Sequence, residues 1–296
     1  MRVRFHETAS ALLTAADPFF RADPYSANVI AVVAARVAAG TRSAGDAPLW
    51  VTIENGNGPV VGVAMHTPPH LLFLSRMPRQ AAAALARTLA DAKAAPPGVN
   101  GAREATTAFA DAWCELTGRS SSPITAMRMY RLEELRRPDS VPGAGRRALA
   151  SGDVGSGVRA GGGVAASGDA GLVAAWLAAF HDEAQPHAPV LEWRSLAEQR
   201  IAAGEIQLWC DGGPVSLAAV SAPGAGVARI GPVYTPASAR RRGYGSAVTA
   251  EAAAAAIAAG AEQVVLYTDL ANPTSNSIYQ ALGFRPDHDA EERLFR

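Results

Sequence analysis

The sequence predicts an α/β (α+β) protein built from two units of ordinary domain size. The chain has 296 residues, a length that favours two domains over one. Helical and strand patterns follow one another in both halves, and the order of elements in the first half echoes the order in the second. A stretch rich in glycine, proline and serine separates the halves, as is typical of an exposed connector. We therefore expect a first domain over residues 1–137, a linker over 138–157 and a second domain over 158–296.

Hydrophobic periodicity assigns the elements of the first half. The pairs Asp17-Pro18 and Asp23-Pro24 are expected to break the first helical region, because proline has no backbone N–H to donate. The segment 50–54 alternates as a strand and leads into an Asn-Gly turn cluster. The predicted helices span 5–16, 27–39, 80–93 and 103–116, and the predicted strands span 50–54, 60–65, 70–74 and 125–132.

The same reasoning assigns the second half. Two registers remain open for its first strand, 146–149 or 158–165, and the second is favoured because Gly168-Asp169 leads directly into a helix. An alanine-rich helix follows the strand at 227–234, since alanine is the best helix former. The other predicted helices span 172–183 and 191–203, and the predicted strands span 205–210, 214–221, 227–234, 264–268 and 293–295.

Composition and charge narrow the classes of function. The formal net charge is zero and the pI is near 7.0, which argues against nucleic acid or an acidic membrane as a partner held by bulk electrostatics. Hydrophobic residues make up 49% and charged residues 18% of the chain, enough to form a sizeable core. No export signal is evident, because the apolar patch at 11–13 is short and is broken by Asp17-Pro18. The alanine run at 252–259 is too short and too weakly apolar to span a bilayer. We expect a cytoplasmic protein, either a monomer that is a pseudo-dimer of its halves or a weak homodimer.

Neither a disulfide nor a metal is expected. Cys114 and Cys210 fall in separate predicted domains and fit reduced thiols better than a disulfide. His181 and His187 lie near acidic residues, but no second pair of ligands follows elsewhere in the sequence, and a metal site needs three or four.

The segment that carries most functional information is the turn between the strand at 227–234 and the alanine-rich helix. It reads Arg240-Arg241-Arg242-Gly243-Tyr244-Gly245-Ser246. Backbone N–H groups at the start of a helix attract a pyrophosphate, and glycines allow the backbone to approach it where a Cβ would collide. The three arginines add positive charge beside it. The turn therefore indicates an anion site.

A second segment, Asn272 to Phe284, supports a specific interpretation. It has the pattern NxxxNxxxYxxLGF and follows the strand at 264–268. Together, the two segments make the C-terminal half resemble the GNAT superfamily of acyl-CoA-dependent N-acyltransferases. The resemblance implies that acetyl-CoA (coenzyme A) is the cofactor. It also implies that each half is a GNAT-like unit with a mixed, mostly antiparallel central sheet flanked by helices, the N-terminal unit being a diverged copy.

The resemblance also implies roles for residues. A backbone amide near the end of the central strand would hold the thioester carbonyl, and Tyr279 matches the tyrosine that protonates the leaving thiolate. The family's strand glutamate is missing here, so the general base remains open between Asp269, Glu183 and His181, acting directly or through water. Asn272 caps the following helix or contacts the cofactor. The expected cofactor-binding residues are Val233, Tyr234, Thr235, Arg240, Arg241, Arg242, Gly243, Tyr244, Gly245, Ser246, Asn272, Asn276 and Tyr279.

The first half departs from this pattern where its own anion loop should be. Residues 75–81 contain no glycine, and Pro78 offers no N–H donor. We therefore predict that the first half does not bind acyl-CoA, and that Arg76 and Arg79 are solvated charges at a helix start. The expected role of the first half is structural: it completes the acceptor cleft or replaces the partner subunit of a dimeric relative.

Three functional hypotheses follow. The leading one is an N-acetyltransferase that moves an acetyl group from acetyl-CoA to a primary amine of a small-molecule or peptide acceptor by direct attack in a ternary complex. The alternative is a non-catalytic acyl-CoA-binding sensor or scaffold, which the missing strand glutamate leaves open. The third is a biosynthetic enzyme that resembles mycothiol synthase in its tandem layout only.

Overall fold

The computed structural model describes residues 1–143 and 161–296, which form one continuous sheet of twelve strands with helices on both faces. Most of the predicted linker and the alternative strand at 146–149 lie outside the described residues. The first strand of the second half spans Gly161–Val164, within the favoured register. Of the strand pairings in the described chain, only β4 with β5 and β10 with β11 are parallel, so the prediction of a mixed, mostly antiparallel sheet is confirmed.

The two halves contain the same elements in the same order, and this confirms the predicted tandem architecture. The first half comprises β1 (Arg2–His6), α1 (Ala9–Ala22), α2 (Asn28–Ala38), β2 (Leu49–Glu54), β3 (Val60–His66), β4 (Leu72–Leu74), α3 (Arg79–Asp91), β5 (Gly98–Ala102), α4 (Arg103–Thr117) and β6 (Ser121–Leu132). The second comprises β7 (Gly161–Val164), α5 (Ala170–Ala184), α6 (Trp193–Ala202), β8 (Ile206–Cys210), β9 (Pro214–Val220), β10 (Val227–Tyr234), α7 (Tyr244–Ala258), β11 (Gln263–Asp269), α8 (Pro273–Ala281) and β12 (Phe284–Phe295).

The beginning of the chain differs from the sequence prediction. The predicted helix from residue 5 is wrong there, because β1 pairs with β2 from Arg2↔Glu54 onward. Helix α1 begins only at Ala9, where the Thr8 hydroxyl accepts a hydrogen bond from the Ala11 amide at 3.1 Å. The predicted break at Pro18 is also wrong, since α1 continues through it. Burial of the apolar face of α1 outweighs the one hydrogen bond that Pro18 cannot make.

Two strands near the middle of the sheet were not predicted at their full extent. β5 was missed because the sequence Gly-Val-Asn-Gly-Ala has no strand periodicity. Its glycines are required by close backbone approach: a Cβ on Gly98 would lie 2.2 Å from the Arg293 carbonyl oxygen, and one on Gly101 would lie 2.0 Å from that of Leu74. β12 begins at Phe284 rather than at the predicted residue 293, because its charged central part is paired with strands of the first half.

The order of strands shows that the halves exchange their last strands. The order is β1-β2-β3-β4-β5-β12-β6-β11-β10-β9-β8-β7. Strand β12 of the second half lies between β5 and β6 of the first, and β6 lies between β11 and β12 of the second. The β6–β12 register runs from Phe284↔Leu132 to Phe295↔Ser121. Each half therefore completes the sheet of the other.

Helix α2 of the first half also docks onto the second half. Asn28 on α2 donates a hydrogen bond from Nδ2 to the Val227 carbonyl at 3.4 Å. A Cβ on Gly224 would lie 2.9 Å from Cγ2 of Val32 on the same helix, so this approach requires glycine in the β9–β10 turn. None of the helices in the described residues is both long enough and apolar enough to cross a membrane.

A protease site inserted within residues 144–157 tests the strand exchange. After cleavage we expect the two fragments to co-elute on size-exclusion chromatography and to unfold in one thermal transition, because β6 and β12 each remain hydrogen-bonded to the other fragment. The uncleaved insertion variant is the control. Separation of the fragments without denaturant would contradict the exchange.

Candidate functional site

The candidate site begins where β10 and β11 diverge. These parallel strands are paired only from Val227↔Gln263 to Ile230↔Leu266. Beyond that point β10 shifts register and follows β9, while β11 follows β6 as far as Asp269. Within the described chain, the β11-facing backbone of β10 after Ile230 therefore has no partner strand. The carboxyl ends of the two strands enclose an opening, which is where ligands bind in many open sheets.

Helix α7 begins beside this opening with an uncapped first turn. Gly243 is its N-cap residue, with φ of +83°, and no side chain caps the helix. The first amides of a helix have no acceptor within it, so those at the start of α7 are available to an anion. A Cβ on Gly243 would lie 3.2 Å from Cγ2 of Val141, and a Cβ on Gly245 would lie 3.4 Å from the Thr235 hydroxyl. Gly245 therefore has room for a methyl group that would stand among these amides.

The three arginines of the loop divide into two roles. Arg240 is bound to the protein: its Nε donates to the Thr235 carbonyl at 2.8 Å, and its guanidinium lies 5.8 Å from the centre of the Tyr234 ring. Arg241 and Arg242 are exposed, and Arg241 has a φ of +64°. Their charges are therefore accessible to a ligand at the start of α7.

Glu183, a predicted base, joins the end of α5 to this loop. Its carboxylate accepts a hydrogen bond from Arg240 at 2.6 Å and another from the Tyr234 hydroxyl at 3.3 Å. Burial and the nearby Glu183 carboxylate raise the pKa of the Tyr234 phenol above its ordinary value. The structure thus brings together Glu183, Tyr234 and Arg240 at the carboxyl end of β10.

The other predicted ligands around the loop are placed by contacts with the core. Tyr244 is buried, and its hydroxyl donates to Asp211, so its side chain is held by the core. The Thr235 hydroxyl is 2.8 Å from that of Ser216. Val233 packs against the core cluster beneath α7, and Ser246 is half-buried in the first turn of the helix. Of Tyr244, therefore, the backbone amide but not the side chain is positioned to contact an anion.

Asn272 and Asn276 organise the junction of β11 and α8. The Asn272 side chain caps α8 by accepting from the Ser275 amide at 3.0 Å, one of the two roles predicted for it. Asn276 donates to the carbonyls of Asp269 at 3.0 Å and Asn272 at 2.7 Å. Its Oδ1 accepts from the hydroxyl of Tyr130 on β6 at 3.0 Å. Both side chains are therefore used within the protein to fix α8, and the first half contributes one of the contacts.

Tyr279 and Asp269 have contrasting environments. Tyr279 is buried on α8, with its ring edge-to-face with Phe284 at 6.2 Å. Burial raises the pKa of its phenol to about 12, against an opposing hydrogen bond with Ser275. Asp269 is exposed at the end of β11 and accepts from the Ala271 amide at 2.8 Å. Tyr279 is thus a protonated phenol at neutral pH, and Asp269 faces solvent.

His181, the third predicted base, has a structural environment. It is buried, and its Nε2 donates to the Ala188 carbonyl at 2.9 Å while its ring lies 5.1 Å from that of Trp193. The hydrogen bond to the Ala188 carbonyl raises the pKa of the imidazole, with the neighbouring Asp182 acting in the same direction. His181 therefore secures the α5–α6 connection. Within residues 1–143 and 161–296, no group of three or more His, Cys, Asp or Glu side chains is placed to hold a metal ion.

Sequence reasoning missed a polar cluster where β11 and β12 meet the first half. Asp287 accepts from His288 at 2.7 Å and from Arg76 of the first half at 2.6 Å. The Tyr267 ring lies edge-on to His288 at 6.2 Å, and burial raises the pKa of its phenol to about 12. Arg76 was predicted to be a solvated charge, but it is an ion-paired link between the halves. Only the correct extent of β12 would have indicated this cluster.

The corresponding turn of the first half is closed by its own protein contacts. Pro78 is the N-cap residue of α3. The Arg76 amide donates to the Ser26 hydroxyl at 3.0 Å, and the Ser75 hydroxyl accepts from the Val63 amide at 3.0 Å. The glycines and uncapped amides of the turn before α7 are therefore replaced here by a proline and internal hydrogen bonds.

Comparison with known proteins agrees with this geometry. The FR47-like protein family model matches residues 210–294, which include β10, the arginine–glycine loop and Tyr279. No curated protein matches the sequence significantly. Three solved structures that are similar over the whole chain are a GNAT-family acetyltransferase from Colwellia psychrerythraea, a GCN5-related N-acetyltransferase from Sphaerobacter thermophilus and a tandem GNAT protein from the clavulanic acid biosynthesis pathway.

These similarities establish the class of fold. The Colwellia protein is 13% identical with a TM-score of 0.58 and covers 100% of both chains. The Sphaerobacter protein is 17% identical with a TM-score of 0.56, covering 99% of this chain and 95% of the other. The tandem protein is 13% identical with a TM-score of 0.52, covering 100% and 98%. The chain has the fold of the GNAT superfamily of acetyltransferases, in a tandem arrangement, and the predicted resemblance is confirmed at this level.

Titration of the tyrosines tests the buried environments. Because burial disfavours the phenolate, Tyr267 and Tyr279 have pKa values raised to about 12 from the ordinary 10.0. Their contribution to stability is complete below pH 10 and is lost as the pH rises towards 12. We expect the phenolate absorbance of the folded protein to rise in two phases, the later one near pH 12. In Tyr279→Phe the amplitude of this later phase should fall by the contribution of one tyrosine. Titration of all six tyrosines in one phase near pH 10 would contradict these environments.

Proposed function

We propose that the chain transfers an acetyl group from acetyl-CoA to a primary amine of a small-molecule or peptide acceptor, by direct attack in a ternary complex. The observation that carries this proposal is the combination, in the second half, of a diverged strand pair with a helix that begins at an uncapped glycine turn. The divergence offers backbone to an extended ligand, and the turn offers amides to its diphosphate.

The residues present fit acetyl-CoA. The amides from Gly243 to Ser246 and the exposed Arg241 and Arg242 would bind the diphosphate. The free edge of β10, over Val233 to Thr235, would hydrogen-bond the extended arm and the thioester carbonyl. When bound, acetyl-CoA supplies an activated acyl group. The side chains of Asn272 and Asn276 act indirectly, by fixing α8 beside the opening.

Tyr279 is the proposed general acid. Its phenol keeps its proton because burial raises the pKa to about 12, so it can donate to a departing thiolate throughout the neutral and mildly alkaline range. The chain of contacts from Tyr130 through Asn276 holds α8, and thereby Tyr279, in place.

Asp269 and Glu183 are the proposed proton acceptors for the incoming amine. Asp269 is exposed at the end of β11, and Glu183 lies over the carboxyl end of β10. Glu183 already binds Arg240 and Tyr234, so its part is to position the loop and to accept a proton through solvent. Asp269 has fewer competing contacts and is the better candidate for the direct role.

Gly245→Ala tests the cofactor site. The added methyl would have ordinary contact with Thr235, 3.4 Å away, so we expect the fold to be retained. It would stand among the first-turn amides and weaken acetyl-CoA binding about tenfold or more. The measurement is the acetyl-CoA dissociation constant, supported by the thermal shift at saturating ligand.

Gly171→Ala is the matched control, because Gly171 is likewise the second residue of its helix and has room for a methyl group. Its affinity for acetyl-CoA should equal that of the wild type. Equal affinity in Gly245→Ala, or the absence of any acetyl-CoA binding by the wild type, would refute the assigned site.

Tyr279→Phe tests the chemistry separately. We expect turnover to fall roughly 100-fold with little change in acetyl-CoA affinity, because the lost hydroxyl acts on the leaving group rather than on binding. The assay is release of free thiol across a panel of primary amines. Unchanged turnover would remove the acid role. Tight binding of acetyl-CoA by the wild type without thiol release from any amine would favour a sensor or scaffold instead.

A further inference from the structure

A second positively charged site lies between the two halves, apart from the glycine turn. The lining of a cavity of about 30 Å³ includes Arg36, Arg42, Arg200, Glu205 and Arg229. Arg36 lies on α2 of the first half and Arg42 follows it, whereas Arg200 lies on α6 and Arg229 on β10 of the second half. The volume suffices for about two water molecules or one small oxyanion.

The charges around this cavity do not balance. Among the described residues that line it there are four guanidinium groups and one carboxylate, a surplus of three positive charges. Glu205 is buried and forms a close ion pair with Arg36. Arg42 is 3.4 Å from Nε2 of His70, whose imidazole pKa is lowered by burial and by Arg42, so His70 is an uncharged partner and supplies no counter-charge. Glu205 therefore compensates at most one of the four cations.

Two of the arginines also have unsatisfied donors. The Nε atoms of Arg200 and Arg229 are buried and have no hydrogen-bond partner within the described chain. A buried guanidinium without a counter-charge is strongly unfavourable. Burial and, to a smaller extent, the neighbouring Arg229, Arg36 and Arg42 together lower the pKa of Arg200 to about 10. Such a cluster is stabilised when an anion supplies the missing charge and acceptors.

We propose that this cavity binds a small, multiply charged oxyanion of the phosphate class, either the free ion or the phosphoryl group of a metabolite. A dianion matches the surplus better than a carboxylate does, and planar guanidinium groups suit its oxygen atoms. Because the arginines come from both halves, the bound anion also strengthens their contact.

The proposed anion site is separate from the cofactor site and does not rest on the proposed function. Arg229 lies four residues before Val233 along β10, about 13 Å away in an extended strand. It lies in the part of β10 that is still paired with β11, opposite Val265, whereas the cofactor opening begins after Ile230.

The experiment is a titration of the full-length protein with inorganic phosphate at constant ionic strength, followed by calorimetry and thermal unfolding. It is performed with and without saturating coenzyme A, so that phosphate bound at the glycine turn is distinguished from phosphate in the cavity. We expect phosphate to raise the Tm in both conditions, and Arg200→Met to weaken phosphate binding at least about tenfold. Arg194→Met on the same helix, an exposed residue paired with Glu198 at 2.6 Å, should bind phosphate like the wild type.

A second variant should change phosphate affinity in the opposite direction. This test remains valid even if Arg200→Met does not fold. Glu205→Gln removes the cavity's carboxylate while keeping a hydrogen-bonding side chain beside Arg36, so phosphate should bind more tightly than to the wild type. Weaker or unchanged binding in Glu205→Gln would overturn the proposal. So would equal phosphate affinity in Arg200→Met and the wild type, or no binding by the wild type.

Two further ligands distinguish the sources of the oxyanion. If ribose 5-phosphate binds at least as tightly as inorganic phosphate, and loses affinity in Arg200→Met, the site takes the phosphoryl group of a metabolite. Binding of inorganic phosphate alone, with the same dependence on Arg200, identifies a site for the free ion. Tighter Arg200-dependent binding of succinate than of either phosphate ligand would overturn the assignment to the phosphate class.

Discussion

The reciprocal exchange of β6 and β12 is the interaction on which the rest of the structure depends. Without β12, the first half would leave β5 and β6 unpaired along their facing edges; without β6, the same would hold for β11 and β12. Exposed strand edges are unfavourable and aggregation-prone, so the exchange joins the two halves in one continuous sheet. The shared sheet explains why the first half keeps every element of the fold although it lacks the glycine turn. In the corresponding turn before α3, Pro78 is the N-cap residue and the Ser26 hydroxyl accepts from the Arg76 amide.

The exchange also builds the candidate site. β11 can leave β10 after Leu266 because its opposite edge stays paired with β6, from Val265↔Arg131 to Asp269↔Met127. The same strand presents the Tyr130 hydroxyl to Asn276 and Gln280, which holds α8 and its Tyr279 against the sheet. The first half thus contributes to a site whose expected ligand-binding residues all lie in the second. It does so by supplying a strand and a positioning hydroxyl, consistent with the structural role predicted for it.

Local patterns predicted most elements, and long-range pairing decided those that were missed. The helices at Arg79–Asp91 and Ala170–Ala184 have apolar faces that a sequence window can detect. β5 cannot be detected in this way, because Gly98 and Gly101 are required by carbonyl oxygens of distant strands. At the site, the glycine turn could be predicted from its own residues. The partners of Arg240, Asn276 and Arg76 could not, because each bond spans elements whose adjacency only the folded sheet creates.

The zero net charge of the chain means that basic and acidic side chains are equal in number, but it does not describe the local fields that bind ligands. Acidic side chains collect on β12, where Asp287 and Asp289 pair with Arg76 and Arg128. Guanidinium groups collect between α2, α6 and β10 with a single carboxylate among the described residues that surround them. Electrostatic interactions weaken with distance and strengthen in a buried environment. The local charge of each cluster therefore matters more for ligand binding than the net charge of the chain. A chain that is neutral overall can therefore hold two anion sites, one made of helix amides and the other of partly buried arginines.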